Sequence, residues 1–417
     1  MNSTSGGAKL WIVLGRPVRL PSALIAVQVL GDRFPGGCHL LRDESQWWER
    51  AQWQSFARHF AGIHAFPRVE TCRGLIDLPR LYRQTAERKT AVGALPVNGE
   101  TDVLLCLASV MGLANAAVSA HPELYKILCI SKSGYEGLTR HPDRLRFRFT
   151  TSGWLQNRVV EPLAGVERTL HFKPRLNPGG DGVRLVRLQK KPDDVYDSIV
   201  VMSNSGRELP QDPDDRLIAA RFPSMAELLD FSKFAGNGMH QPQRVIFFGT
   251  PFLLIHNLSP AVYVEHLNRC LDYIRRHHAA DCDLIYRPHP IETEEASRLQ
   301  LENFRIEDDR EAAELYFLRH FTEIKAVYSV SSTVSRTALN NGLNAYAFWR
   351  CFPFPETAAK FFERQMGDVP PEFDIRDLSR PPISYQGLRQ TDTSTKSFGE
   401  SLMIAMDRRE KAATSAL

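Results

Sequence analysis

Apolar positions fall into short continuous runs, punctuated by turns rich in Gly, Pro, Asn and Ser. Leu10–Leu14 is such a run and ends at Gly15-Arg16-Pro17; residues 101–108 form another, with Asp102 at the start. Uninterrupted apolar runs of this length read as strands buried on both faces. Residues 23–30 are apolar throughout and fit either a strand or a helix. Helical spacing is expected over 45–60, 114–120 and 225–234, and strands over 125–130 and 198–202. Residues 140–191, rich in Arg and Gly, read as irregular or hairpin-like.

The second half has a clearer rhythm of strand and helix. Residues 244–248 predict a strand that ends at Gly249-Thr250-Pro251. Ser259-Pro260 predicts a helix start, a hydroxyl cap followed by proline in the first turn, and Val264, Leu267, Leu271 and Ile274 continue it at helical spacing. Residues 283–286 predict a strand ending at Arg287-Pro288-His289-Pro290, 311–320 a helix, and 326–330 a strand ending at Ser331-Ser332-Thr333. A helix over 334–340, stopped by Asn341-Gly342, and a strand over 345–348 follow. Strands alternating with helices imply a parallel sheet covered on both faces, an α/β architecture.

With 417 residues the chain is too long for one ordinary core, and two domains are expected. The turn-rich Gly236-Asn237-Gly238 and Gln241-Pro242-Gln243 suggest the linker. The expected division is an N-terminal Rossmann-like domain over 1–238, a C-terminal one over 239–380, and a tail or helix over 381–417 that packs back on the first. A net charge of +4 lacks the concentrated basic character of a nucleic-acid binder. It suits an anionic substrate or loose contact with an anionic membrane surface, or is an incidental excess of arginine. Seven scattered cysteines without a CxxC pair argue for reduced thiols and against structural zinc. No run reaches the roughly 18 apolar residues of a membrane span, and the N-terminus lacks signal-peptide character. The expected location is cytoplasmic, with peripheral contact at the inner membrane face left open.

Three loops after apolar strands carry complementary chemistry. In a parallel sheet, such loops open on the edge formed by the strand carboxyl ends, where α/β proteins bind ligands. Gly249 would let backbone approach a ligand, with Thr250 beside it. Arg287 and His289 can donate to an anion, Pro290 stiffens their turn, and Ser331, Ser332 and Thr333 supply hydroxyls and amides at a helix N-terminus. Together they describe a pocket for a nucleotide or nucleotide-sugar phosphate. Taken alone, each loop has a plainer reading, a rigid turn or a helix cap. His277-His278 sit on different helix faces and read as a solvated helix end rather than a metal pair, and Trp47-Trp48 reads as packing.

A Gly-x-Pro loop, a basic-x-His-Pro motif and a Ser-Ser-Ser/Thr motif, in this order over about residues 244–350, resemble the C-terminal half of bacterial sialyltransferases. Polysialyltransferases and Kdo transferases of capsule and lipopolysaccharide synthesis are similar. The resemblance implies a GT-B fold, two Rossmann-like domains facing each other across a cleft. It implies a metal-independent glycosyltransferase, inverting if it follows the sialyltransferases and retaining if it follows some Kdo transferases. The donor would be a CMP-activated acidic sugar, a co-substrate rather than a cofactor, and the acceptor a surface glycan. Carried over by position, His289, Ser331 and Ser332 would hold the donor phosphate and Arg287 would lie near the cytidine. A helix glutamate would hold the ribose; Glu314 suits that role, with Glu311 one turn earlier as the fallback. The family's Asp/Glu-Asp/Glu-Gly motif is matched by Tyr135-Glu136-Gly137, which makes Glu136 the general base and puts Tyr135 where the first acid stands. Asp43-Glu44-Ser45 competes, and Asp32 and Asp102 are also near predicted strand ends. Rival readings are a CDP-glycerol or CDP-ribitol phosphotransferase, a nucleotide-sugar epimerase, and a non-catalytic glycan-binding GT-B protein. Oligomeric state is open.

Overall fold

The computed structural model describes residues 7–14, 19–44, 53–67, 78–107, 112–131, 135, 175–176, 183–184, 195–203, 215–224, 227, 243–250, 258–289, 292, 298–308, 311–366, 369–383 and 396–415. The chain divides into two compact units, Met1–Phe222 with Thr395–Leu417, and Pro223–Ser394.

The first unit contains β1 (Leu10–Leu14), α1 (Leu20–Leu30), β2 (Cys38–Asp43), β3 (Gly62–Phe66), α2 (Leu78–Gly93), β4 (Val103–Leu107), α3 (Gly112–Ala120) and β5 (Tyr125–Ser131). A two-residue antiparallel pair follows, β6 (Arg175–Leu176) with β7 (Val183–Arg184), then β8 (Ser198–Ser203) and β9 (Leu217–Arg221). Seven strands form one parallel sheet in the order β3-β2-β1-β4-β5-β8-β9. The central strands β1 and β4 are buried along their whole length, as their unbroken apolar runs predict. One core face gathers Trp11, Leu104, Leu128, Ile199 and Val201 under Leu113 and Ala117 of α3. Each such fully buried apolar side chain contributes about 1.5–3 kcal/mol. The stretch 23–30, open between strand and helix in sequence, is helix: α1 carries proline in its first turn and buries residues on several faces, which erases the amphipathic period.

The second unit contains β10 (Gln243–Phe248), α4 (Pro260–His278), β11 (Cys282–Arg287), β12 (Phe304–Ile306), α5 (Ala313–His320), β13 (Ile324–Ser329), α6 (Thr333–Asn340), β14 (Ala345–Ala347) and α7 (Glu356–Met366). Its five-stranded parallel sheet has the order β12-β11-β10-β13-β14, so the strand order reverses at β10. Ser259 caps α4, its hydroxyl accepting from Val262 N at 3.3 Å, and Val264, Leu267, Leu271 and Ile274 are buried as their spacing predicts. At the other end of α4 the expected solvated helix end is corrected: His278 is buried, its Nε2 2.8 Å from the Tyr328 hydroxyl. It faces the sheet because α4 packs on that side down to its last turn. Gly342, at φ +94°, ends α6; Leu343 N donates to Ala338 O and Gly342 N to Leu339 O, a paired stop that requires a left-handed residue.

The units part at 222/223 and 394/395, against 238/239 and 380/381 in the sequence reading. Residues to Ile383 remain tied to the second unit, where Tyr346 donates its hydroxyl to Ile383 O. Of the turn-rich linker only Gln243 is described, as the first residue of β10, and of the expected helix over 225–234 only residue 227. The final helix, α8 (Phe398–Ser415), belongs to the first unit: Arg33 bonds Asp407 and Glu410, and Ser401 Oγ donates to Ala219 O.

Candidate active site at the carboxyl edge of the second sheet

Phe248 pairs with Arg287 on one side and Ser329 on the other, so β10, β11 and β13 end at one level. The loops carrying Gly249, His289 and Ser331 therefore leave the sheet together at the reversal of strand order, where parallel sheets open a crevice. The N-terminal turn of α5 lies on this edge as well, since Arg287 Nη2 donates to Glu311 O at 3.2 Å.

Arg287 is almost wholly buried, 4% exposed. Its guanidinium lies 4.1 Å from the centroid of Tyr316 and 5.7 Å from that of Phe248. Glu311, just ahead of α5, is paired with Arg319, and its side chain has no exposed surface. Glu314 is buried in the first turn of α5, so of the two glutamates it is the one the helix itself carries onto this edge.

On the β11 loop, His289 is half-buried, and burial lowers its pKa, which favours the neutral imidazole. Its backbone N–H donates to Glu292 Oε2 at 3.1 Å. Gly249 N donates to Arg287 O at 2.9 Å. Gly249 makes room within the protein itself: a Cβ there would meet the Glu292 oxygens at 2.7 and 2.8 Å and His289 N at 2.9 Å. The space belongs to the protein's own carboxylate. Thr250 is buried beside the Tyr263 hydroxyl. Pro251 and Pro290 lie outside the described residues.

The serine loop divides its work. Ser332 caps α6, accepting from Val334 N at 3.2 Å. Ser332 N donates to Ser329 Oγ at 3.1 Å, and Ser335 donates its hydroxyl to the same oxygen at 2.8 Å. The buried Ser331 Oγ has no hydrogen-bond partner among the described residues. The backbone of Thr333 opens α6, placing its N–H at the positive end of the helix. A half-buried imidazole, a buried hydroxyl without a partner among the described residues and a helix N-terminus make an edge suited to a phosphate.

Of the proposed bases in the first unit, Glu136 lies outside the described residues. Tyr135 is buried in the hydrophobic core, which explains an aromatic at that position. Asp102 sits at the amino end of β4 and accepts from Lys9 N, Trp11 Nε1 and Asn98 N at 2.9, 2.9 and 3.0 Å, a structural role at the edge opposite the strand carboxyl ends. Asp32 lies in the turn after α1 and so shares that amino edge. Asp43 closes β2 at the carboxyl edge.

Sequence reasoning missed Glu292, Tyr286, Tyr316, Ser329 and Ser335. One signal was available for Glu292, a carboxylate three residues after His289 in a proline-flanked turn, the spacing at which a side chain reaches back to a backbone amide. Among the described residues no cluster of His, Cys, Asp and Glu could hold a metal ion, and no helix is long and apolar enough to cross a membrane.

Two parallel α/β units of seven and five strands define a two-domain Rossmann-like fold of the GT-B class. A solved UDP-N-acetylglucosamine 2-epimerase shares that fold at TM-score 0.50 and 10% identity, over 96% of this chain and 95% of its own. The UDP-GlcNAc 2-epimerase of Methanocaldococcus jannaschii aligns at 0.49 and 10% identity, over 96% of this chain and 99% of its own. An α/β-galactoside α-2,3-sialyltransferase from the luminous marine bacterium Photobacterium phosphoreum aligns at 0.44 and 10% identity, over 88% and 98%. The sequence matches no protein-family model and no curated protein.

Proposed function

We propose that this protein is a glycosyltransferase that moves an acidic sugar, a sialic or related nonulosonic acid or Kdo, from its CMP-activated donor to a surface glycan. The observation that supports the reading is that the loops carrying His289 and Ser331, the latter leading into the α6 N-terminus, leave the sheet at one level where the strand order reverses. That set matches the leaving-group chemistry of a nucleoside monophosphate. As the bond from the anomeric carbon to the phosphate oxygen breaks, charge gathers on the phosphate, and donors already aimed at it stabilise the transition state. The acceptor hydroxyl forms the new bond to the anomeric carbon and gives its proton to a carboxylate of the first unit, Glu136 in this reading. Glu314 serves the ribose and Arg287 lines the cytidine side. The sugar, the acceptor and a peripheral membrane location belong to the same proposal.

The test is nucleotide selectivity. Melting temperature is measured with CMP, CMP-Neu5Ac, CMP-Kdo, CDP-glycerol and UDP, each at saturating concentration. CMP and one CMP-sugar should stabilise the protein, and His289→Ala should remove most of the shift. Stabilisation by UDP alone, or by none of these, defeats the proposal.

A further inference from the structure

We propose that Glu292 is a positioning residue for His289, lodged in the space that Gly249 leaves by having no side chain. Three elements meet at this carboxylate. From its own loop, His289 N–H donates to Oε2 at 3.1 Å, and Glu292 N returns a bond to His289 O at 2.8 Å. From β11, the fully buried Tyr286 donates its hydroxyl to Oε1 at 2.6 Å. From the end of β10, a Cβ on Gly249 would lie under 3.0 Å from both carboxylate oxygens. The carboxylate thus locks two strand ends and the loop between them into one arrangement.

The backbone N–H of His289 is spent on Glu292, which fixes the backbone from which the imidazole projects. Taking Glu292 away leaves two donors without an acceptor in a largely buried site, and the loop must repack. The consequence for the donor rests on the reading of this edge as its phosphate site.

Glu292 also leaves a titration signature. Burial pushes its carboxyl up to about 6 against the bonds from Tyr286 and His289 N–H. The groups facing it are Tyr286 from β11, Tyr263 from α4 and His289 from its own loop. Burial drives both tyrosines far above their ordinary range, so they do not titrate near neutrality. Gln in place of Glu keeps an acceptor for His289 N–H and can donate to the Tyr286 oxygen, but carries no titrating proton.

The test uses the full chain with 15N-histidine, comparing wild type, E292Q and E292A. In wild type the His289 amide should be protected from solvent exchange, with an inflection near pH 6. E292Q should keep the protection and CMP affinity within about threefold but lose that inflection, while the imidazole's own titration, read on its ring proton, persists. E292A should exchange its His289 amide and release CMP about tenfold more readily, since it removes the acceptor of both the His289 N–H and the Tyr286 hydroxyl. Equal amide protection in E292A, or the pH 6 inflection surviving in E292Q, overturns the proposal. If E292A does not fold, the E292Q titration decides alone. Wild type that binds no cytidine nucleotide yet shows the amide behaviour defeats the donor reading and leaves the positioning intact. CMP binding that E292A leaves unchanged defeats the positioning alone.

Discussion

The Arg287 guanidinium carbon sits 4.1 Å from the centroid of the Tyr316 ring, joining the end of β11 to the helix that precedes β13. Arg287 is 4% exposed, so this stack works without competition from water. A lysine would keep the charge but lose the planar contact and the reach to Glu311 O. Arg287→Lys should lower stability by about 1–2 kcal/mol, read as a lower urea midpoint at unchanged slope. Tyr316→Phe keeps the ring and loses the bond from Arg244 Nη1 at 2.9 Å and the hydroxyl's bond to the Glu307 side chain, so it should be the milder change at the Arg287 contact. The reverse order would show that the ring contact does not hold this edge.

Asp102 is the acceptor for Trp11 Nε1 and two backbone amides at the start of β1 and β4. Removing a buried, multiply bonded carboxylate leaves its donors unpaired, at a cost of about 2–4 kcal/mol. Asp102→Ala should therefore lower the melting temperature strongly. Single-turnover activity of the folded fraction should stay within about twofold of wild type, since Asp102 is at the amino edge of its sheet. A selective loss of turnover with stability preserved would return Asp102 to the bases under consideration.

How much of this was legible beforehand follows from where each element sits. Central strands announce themselves because both faces are buried: VLLCL in β4 and the VIFF end of β10 are unbroken apolar runs. Outer strands mostly do not, β14 being the exception because all three of its residues are buried. β3 carries His64, half-buried, and β12 is three residues long with Ile306 57% exposed, so neither shows an apolar run. β2 and β9 end in polar residues and were also unread. The α2 helix carries Arg, Lys and Glu around most of its surface and gives no strong period. At the site, the loops were legible because their order and strand context are linear features. Glu292 and Tyr316 were not, because their roles depend on a slot at Gly249 and a ring beneath Arg287 that exist only once three strand ends are side by side.

His278 gives the second unit a pH dependence of fixed sign. Burial lowers its pKa from 6.5 to about 4, with Lys325 and His277 adding to the effect, while Nε2 faces the Tyr328 hydroxyl. The native state thus favours the neutral ring. Its contribution is fully present above pH 6.5 and is lost as pH falls toward 4, by at most about 3 kcal/mol. Glu292 acts in the opposite sense: its raised pKa favours the native state at low pH, and that contribution is lost as pH rises from about 4.5 through about 6. The comparison that isolates His278 is the difference between wild type and His278→Gln. That difference should narrow between pH 7 and pH 4.5, measured by urea unfolding. A difference independent of pH would mean that the ring titrates alike in the native and unfolded states.

Ser331 and Ser332 are neighbours with separable roles. The Ser332 hydroxyl caps α6 by accepting from Val334 N at 3.2 Å, whereas Ser331 Oγ, though buried, has no partner among the described residues. A buried hydroxyl without a partner among the described residues costs free energy that a ligand acceptor can recover. Ser332→Ala should lose about 1 kcal/mol of stability, the usual cost of an N-cap. Ser331→Ala should leave stability within about 0.5 kcal/mol, or raise it slightly, since no bond to a described residue is broken. Binding should show the reverse. Ser331→Ala should weaken CMP about fivefold to tenfold, the worth of one hydrogen bond to a charged group. Ser332→Ala should weaken it less, since the α6 amides remain. Thermal unfolding and CMP titration of the two variants give the four values. If Ser331→Ala binds CMP as wild type does, the phosphate does not sit over this hydroxyl.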